Sequence, residues 1–274
     1  MSEYYADLRM YVAPEPIQQA NQHWLARIFE RLKLHRLNAD HLDLRGLWLA
    51  PQLLVSQTCG YPLMTQLRGQ VRIIGRPRYE LAHSSHGEHC SLLLTRADNP
   101  RTRLTQFYQS RGVINGHDSN SGMNLLRHCL APLQRDGRFF ASVGISGAHR
   151  ESLRWLREGR ADLAAIDSVT YDYLARFAPE EVAGLRVITR SAPSPTLPYI
   201  GALGLSDGQV AQIREAMNLA LQDLPQVAQT LGVRAVLPAS EDDYQVVLDY
   251  QRKAASIGYS VLQQGYIRMR FKYY

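Results

Sequence analysis

Ser119, Asn120, Ser121 and Gly122 are small polar residues placed where a helix must begin. They follow a short apolar run at residues 112–115 that reads as a buried strand. They precede Leu125, Leu126 and Leu130, which recur at helical spacing. A helix start leaves backbone N–H groups unpaired at the positive end of the helix dipole. Hydroxyls and a glycine around those donors make a pocket for an anion. The same residues also suit a plain N-cap, in which Ser119 or Ser121 stabilises the first turn by about 1 kcal/mol. The local sequence leaves both uses open.

Other reactive side chains are less organised. His83, His86 and His89 stand three apart, which invites a metal, but Gly87 interrupts any rigid helix between them. A solvated loop and no metal are the expectation. Cys59, Cys90 and Cys129 are not in metal or redox spacing. A disulfide from Cys59 to Cys90 is compatible with the sequence but not implied by it. No phosphate-binding GxxxxGK[ST] loop, HExxH, nucleophile elbow or dinucleotide fingerprint occurs, so no cofactor is expected.

The elements that must position the turn belong to a chain of 274 residues and 31.0 kDa, enough for two lobes of ordinary domain size. With 45% hydrophobic and 20% charged residues the composition is that of a globular protein, and no apolar run reaches transmembrane length. The formal charge of +6 agrees with an anionic ligand. Its basic residues are scattered (Arg72, Arg76, Arg78, Arg150, Arg154, Arg157, Arg160) without a stripe or motif, which argues against nucleic acid. The first residues lack the basic and apolar regions of a secretory signal. The expectation is a cytoplasmic protein as the sequence is written, or a periplasmic one if a signal has been trimmed.

Read in order, the chain predicts a strand at 8–13, then a helix with Ile17, Ala20, Trp24, Ile28 and Leu32 on one apolar stripe. Strands are expected at 44–50, 71–75 and 91–95, with a loop at 57–62 leading into a short helix. A polar break at 97–101 follows. Beyond it come strand 112–115, helix 121–135, strand 140–145, helix 149–158, strand 162–166, helix 169–177 and strand 185–190. Such alternation implies largely parallel sheets covered by helices. A proline-rich stretch at 191–198 leads to a strand at 199–205, a helix from Ser206, and helices near 224–231 and 242–256.

The two breaks enclose a middle segment of domain size. The expected fold is therefore an α/β clamshell with two hinge crossings. One lobe is formed by residues 1–96 and 192–274, the other by 97–191. Loops at 57–61, 117–122, 146–152 and 167–168 all follow predicted strands, so they can converge on one cleft.

The chain resembles the periplasmic phosphate and phosphonate substrate-binding components of ABC transporters, a branch of the type 2 periplasmic-binding-protein fold. The residues that carry the resemblance are Met10-Tyr11 with the following Pro-Glu, Trp24, Gln57-Thr58-Cys59-Gly60-Tyr61-Pro62, and Asn115 with Asp118-Ser119-Asn120-Ser121-Gly122. Ser146-Gly147-Ala148-His149-Arg150-Glu151-Ser152 and Ala161-Asp162-Leu163-Ala164-Ala165-Ile166-Asp167-Ser168 complete it. They occur in the family's order from about residue 7 to 205. The chain departs from the family at residues 83–90, where a histidine-rich segment stands in place of a cysteine, a glycine and an aromatic.

The resemblance implies a binding mechanism. Ser119, Asn120, Ser121 and Gly122 hold the anionic head, and His149 donates to one of its oxygens. Gln57, Thr58 and Tyr61 belong to the opposite lobe, from which Thr58 and Tyr61 close over the ligand. Tyr11 lines the cleft floor or packs as a core tyrosine. Asp167 grips an amino group on the ligand or caps the helix that follows it.

The leading function is thus a solute-binding protein for a small oxyanion such as a phosphonate or phosphate, without catalysis. It is expected to be a monomer that works with an ABC permease. Two alternatives stand beside it. One is a cytoplasmic enzyme on the same fold using His149 with Asp167. The other is a ligand sensor in which the alternating basic and aromatic tail, residues 266–274, contacts a partner.

Overall fold

The structure, a computed structural model, describes residues 2–11 and 13–262. The predicted contact tail at 266–274 lies outside them. Two mixed sheets form the framework. In the first, strand Glu3–Asp7 runs parallel to His35–Leu37 and Leu53–Gln57. Tyr199–Ala202 and the long strand Val71–Leu81 then continue it in antiparallel fashion. Val233–Leu237 and the small hairpin Ser84–Ser85/Glu88–His89 pair onto this edge. The second sheet has the order Leu185–Arg190, Ser91–Arg96, Leu163–Asp167, Arg111–Ile114, Ser142–Ile145. Only its last three strands are parallel, so the expectation of largely parallel sheets holds for part of each sheet.

The first passage between sheets falls at Cys90, not at residue 97. Strand Ser91–Arg96 is buried from Ser91 to Thr95 and lies in the second sheet between two neighbours. The polar stretch after it is a turn within that lobe. There the Ala97 N–H donates to the Gly184 carbonyl, and Arg186 ties down the carbonyls of Asn99 and Arg101. The return passage lies between Arg190 and Ser194, as the prolines indicate. The two passages run side by side. The Ser191 N–H donates to the Ser91 carbonyl at 2.9 Å, and the Ser91 N–H to Ser191 Oγ at 2.8 Å.

The chain end also departs from expectation. Helix Gln245–Ser256 lies against both lobes, with Val247 near Gly60 of the first, and the residues after it dock on the second. Ala254, Tyr259 and Leu262 join a buried cluster with Phe107, Ile114 and Leu126. Asn124 Nδ2 donates to the Val247 carbonyl and Arg127 to that of Ser260.

Local chemistry explains the shifted elements. Residues 44–48 form a helix, not a strand, because Asp43 caps it by accepting from the Gly46 N–H at 2.6 Å. The first strand is Glu3–Asp7, and Met10 and Tyr11 lie in the loop beyond it. Helix Glu15–Leu32 buries Ile17, Ala20, Trp24 and Ile28 as the stripe predicts. Helix Asp207–Asp223 starts on a capping box formed by Ser206 and Gln209.

Candidate functional site

A cavity of about 450 Å³ lies between the lobes, where strand ends of both sheets meet. The second lobe supplies Asn115, Ser119, Ser121, His149 and Asp167, and the first lobe supplies Arg9, Met10, Tyr11, Leu44, Trp48, Cys59, Pro62 and Leu197. Strand Arg111–Ile114 ends below the serine turn. The helix there opens with a wide π turn, Asn120–Asn124, in which the Asn124 N–H reaches back to the Ser119 carbonyl. Ser119 Oγ accepts from the Gly122 N–H at 2.9 Å, so it is an N-cap as well as a cavity residue. Its hydroxyl proton stays free to donate.

His149 is the first residue of helix His149–Arg157, which follows strand Ser142–Ile145. Its Nε2 lies 3.0 Å from Ser121 Oγ, while its Nδ1 is shut off from solvent and has no hydrogen-bond partner. Burial lowers the imidazole pKa to about 4, against the opposing pull of Asp167 and with a small push from His89. Asn115 Oδ1 is likewise buried and unpartnered. Gly122 makes room for both side chains. A Cβ on it would sit 1.8 Å from Asn115 Oδ1 and 3.1 Å from His149 Cε1.

Asp167 ends strand Leu163–Asp167 and connects the lobes. Its Oδ1 accepts from the Tyr11 hydroxyl at 3.1 Å and from the Thr170 N–H at 3.0 Å, and its Oδ2 lies 2.8 Å from His89 Nδ1. Burial pushes this carboxyl up, but the neighbouring His89 ring, the charge of His149 and the Thr170 N–H outweigh it. The pKa ends below the ordinary carboxylate value. Burial first, then Asp167, drives the Tyr11 phenol well above its ordinary value. His89 is therefore a buried partner of Asp167 and not part of a solvated loop. His83 pairs in the same manner with Asp172. No cluster fit to hold a metal occurs among the described residues.

Of the predicted site residues, the fold brings Tyr11, Ser119, Ser121, His149 and Asp167 to the cavity, with Gly122 shaping its wall. Gln57, Thr58, Tyr61 and Asn120 do not line it. Gln57 Nε2 donates to the Leu197 carbonyl, and Thr58 is fully buried with its N–H on the Pro198 carbonyl. Tyr61 faces a smaller cavity with Ile114, His117, Met123 and Arg127. Asn120 spans the lobes through Ser194 Oγ and accepts from Asn124. Cys59, at the same helix start as Tyr61, takes their place. Its sulfur accepts from the Asn120 N–H at 3.2 Å, and burial raises its thiol to about 11. Cys59 and Cys90 are both free thiols. Arg9, Leu44, Trp48 and Leu197 were missed because nothing local marks them as cavity residues.

Two lobes around a cleft, joined by paired crossings, make up the fold of the periplasmic binding proteins. The family described as ABC transporter, phosphonate, periplasmic substrate-binding protein matches residues 52–244. The chain belongs to that family.

Solved structures agree on the fold. The chain is similar to a binding protein component of an ABC phosphonate transporter (PA3383) from Pseudomonas aeruginosa, at 15% identity and a TM-score of 0.73. That match covers 93% of this chain and 87% of the other. It is also similar to PhnD1 from Prochlorococcus marinus, solved in complex with methylphosphonate, at 10% identity and a TM-score of 0.68, covering 93% and 98%. MatC from Rhodopseudomonas palustris, solved with bound malate, matches at 15% identity and a TM-score of 0.56, covering 94% and 98%. No curated protein sequence matches the chain. Among the described residues, no helix is long and apolar enough to cross a membrane.

Proposed function

We propose that this chain captures a phosphonate- or phosphate-type oxyanion in the cleft, without turnover, and presents it as a monomer to an ABC permease from the periplasm. The observation that carries this is the His149 ring, whose Nδ1 is buried without a partner while its Nε2 lies 3.0 Å from Ser121 Oγ. A buried polar atom without a partner costs free energy that a ligand oxygen relieves. Ser119, Ser121 and His149 hold the head of the ligand, and Gly122 keeps Asn115 and His149 in place. Tyr11 and Asp167 latch the lobes, since their hydrogen bond spans the cleft.

The closing bodies are residues 2–89 with 194–244, and residues 91–191 with 245–262, moving about the paired crossings by hinge rotation. A thermal-shift series with inorganic phosphate, methylphosphonate, sulfate and malate tests the assignment. A phosphorus oxyanion at 100 times its Kd adds about 2.7 kcal/mol of stability. A shift with malate or sulfate, and none with either phosphorus compound, would assign the site to another class of anion.

A further inference from the structure

We propose that the ligand is an oxyanion bearing an apolar substituent of several carbons and no ammonium group, its head on the second-lobe wall and its substituent against Met10, Leu44, Trp48, Pro62 and Leu197 of the first lobe. This rests on the oxyanion assignment above and narrows it to a chemical class.

Size is the first argument. At about 450 Å³ the cavity falls within the ~300–1,000 Å³ typical of organic-ligand pockets, far beyond what a bare tetrahedral anion fills. The chemistry of the first-lobe wall is the second. Trp48 Nε1 donates to the Gln57 carbonyl at 3.0 Å, so its one polar atom is spent inside the fold and the rest of its ring is hydrocarbon. Leu44, from the same short helix, and Leu197, just after the return crossing, add to this surface. Arg9 also lines the cavity, but its guanidinium is tied to Asp7 and to the carbonyls of Ala39 and Leu42.

The state of the carboxylates is the third argument. A ligand ammonium buried in the cleft needs an acidic partner, because an unpaired buried charge is costly. Asp167 is 2% exposed, and its oxygens already face Tyr11, His89 and Thr170. Asp118 directly precedes the serine turn, and its Oδ1 is turned towards Gly116, where an added Cβ would sit 2.9 Å away. It lines the cavity from the second lobe beside Ser119, whereas Met10, Leu44, Trp48, Pro62 and Leu197 belong to the first. Neither carboxylate belongs to the first-lobe wall that takes the substituent.

The test is isothermal titration of the full chain at fixed pH with phosphate, methylphosphonate, n-propylphosphonate and 2-aminoethylphosphonate. The last two are matched in size and differ in methyl against ammonium. n-Propylphosphonate is expected to bind at least about tenfold tighter than methylphosphonate, as burial of two methylenes requires. It is expected to exceed 2-aminoethylphosphonate by a similar factor. Leu44→Asn should narrow the propyl-to-methyl ratio severalfold.

Binding of none of the four defeats the oxyanion assignment itself. If phosphate or methylphosphonate binds as tightly as the propyl compound, or the aminoethyl compound binds at least as well, the assignment stands and the apolar-substituent proposal falls. A propyl-to-methyl ratio unchanged by Leu44→Asn removes the substituent from this wall and overturns the proposal as stated.

Discussion

Ser119, Ser121 and His149 of the second lobe reach the cavity from strand-to-helix turns, whereas Met10, Leu44, Trp48 and Leu197 reach it from three separate segments of the first. The two walls also act through different physics. Donors at a helix start act over hydrogen-bond distances and depend on angle, and they strengthen when the acceptor is charged. Apolar contact is non-directional and grows with the area buried. A cleft divided in this way separates two decisions. Under the proposed function, the second lobe would decide whether an oxyanion binds at all, and the first which substituent it carries.

The largest expected effect breaks the polar wall. Ser119→Ala with Ser121→Ala should weaken every phosphorus oxyanion by about 3–6 kcal/mol in total, roughly 1.5–3 for each bond lost to a charged group. The loss should be the same for methyl and propyl compounds, since neither substituent touches these hydroxyls. Ser119 is also the cap of its helix, so the variant should lose about 1 kcal/mol of folding stability as well. Calorimetry across the ligand series, with urea denaturation alongside, reads both numbers. Unchanged affinity would make the serines structural caps only.

A smaller change sharpens the same comparison. In Gly122→Ala the new methyl would meet the Asn115 amide at 1.8 Å, so that side chain must move. Asn115 is half-buried at the cavity edge and has room to swing into it. Affinity should fall by about tenfold or more, ~1.4 kcal/mol, as the displaced amide enters the cavity, while the melting temperature changes little because only the free end of a side chain has to move. A variant that loses stability and keeps affinity would show that Gly122 serves the fold and not the cavity.

The same division explains what the sequence made legible. The polar wall is written more locally, as strand, small polar turn and helix in one stretch; Ser119 and Ser121 stand out from that pattern, whereas His149 and Asp167 are expected from the family resemblance. The apolar wall is an assembly of distant segments. Trp48 and Leu197 carry no signal that separates a cavity residue from a core residue. Residues 44–48 had enough apolar character to pass for a strand, and only the Asp43 cap decides for a helix. Thr58 and Tyr61 sit in the expected loop but turn away from the cleft, because backbone direction at a helix start depends on packing against Tyr244 and Val247, far along the chain. The hinge at residue 97 failed for a related reason. A polar turn inside a lobe looks like a polar turn between lobes until its carbonyls are seen bound by Arg186.

The smallest effect concerns His149 and tests whether the polar wall carries charge. Burial holds its imidazole at about 4 in the unliganded protein, below the unfolded value of about 6.5. As pH falls through 6.5 the unfolded chain takes up the proton first, so this residue's contribution is complete above that value and is lost progressively towards pH 4. At pH 5.5 the loss should be on the order of 1 kcal/mol, discounted for the residue's partial exposure. His149→Asn should lack this contribution, giving a flatter profile between about 5.5 and 7.5.

A bound dianion beside Nδ1 favours the charged ring and opposes the burial that disfavours it. At about 3–4 Å its full charge outweighs the partial charge of the helix end. Saturating methylphosphonate should therefore reduce the pH dependence of stability in the wild type. Affinity, corrected for the ionisation of the ligand, should fall as pH rises through the pKa of the occupied state. Identical corrected profiles for wild type and His149→Asn would leave the anion held by neutral donors alone. The polar wall would then select by geometry, as the apolar wall does by area, with no charged side chain in the cleft taking part.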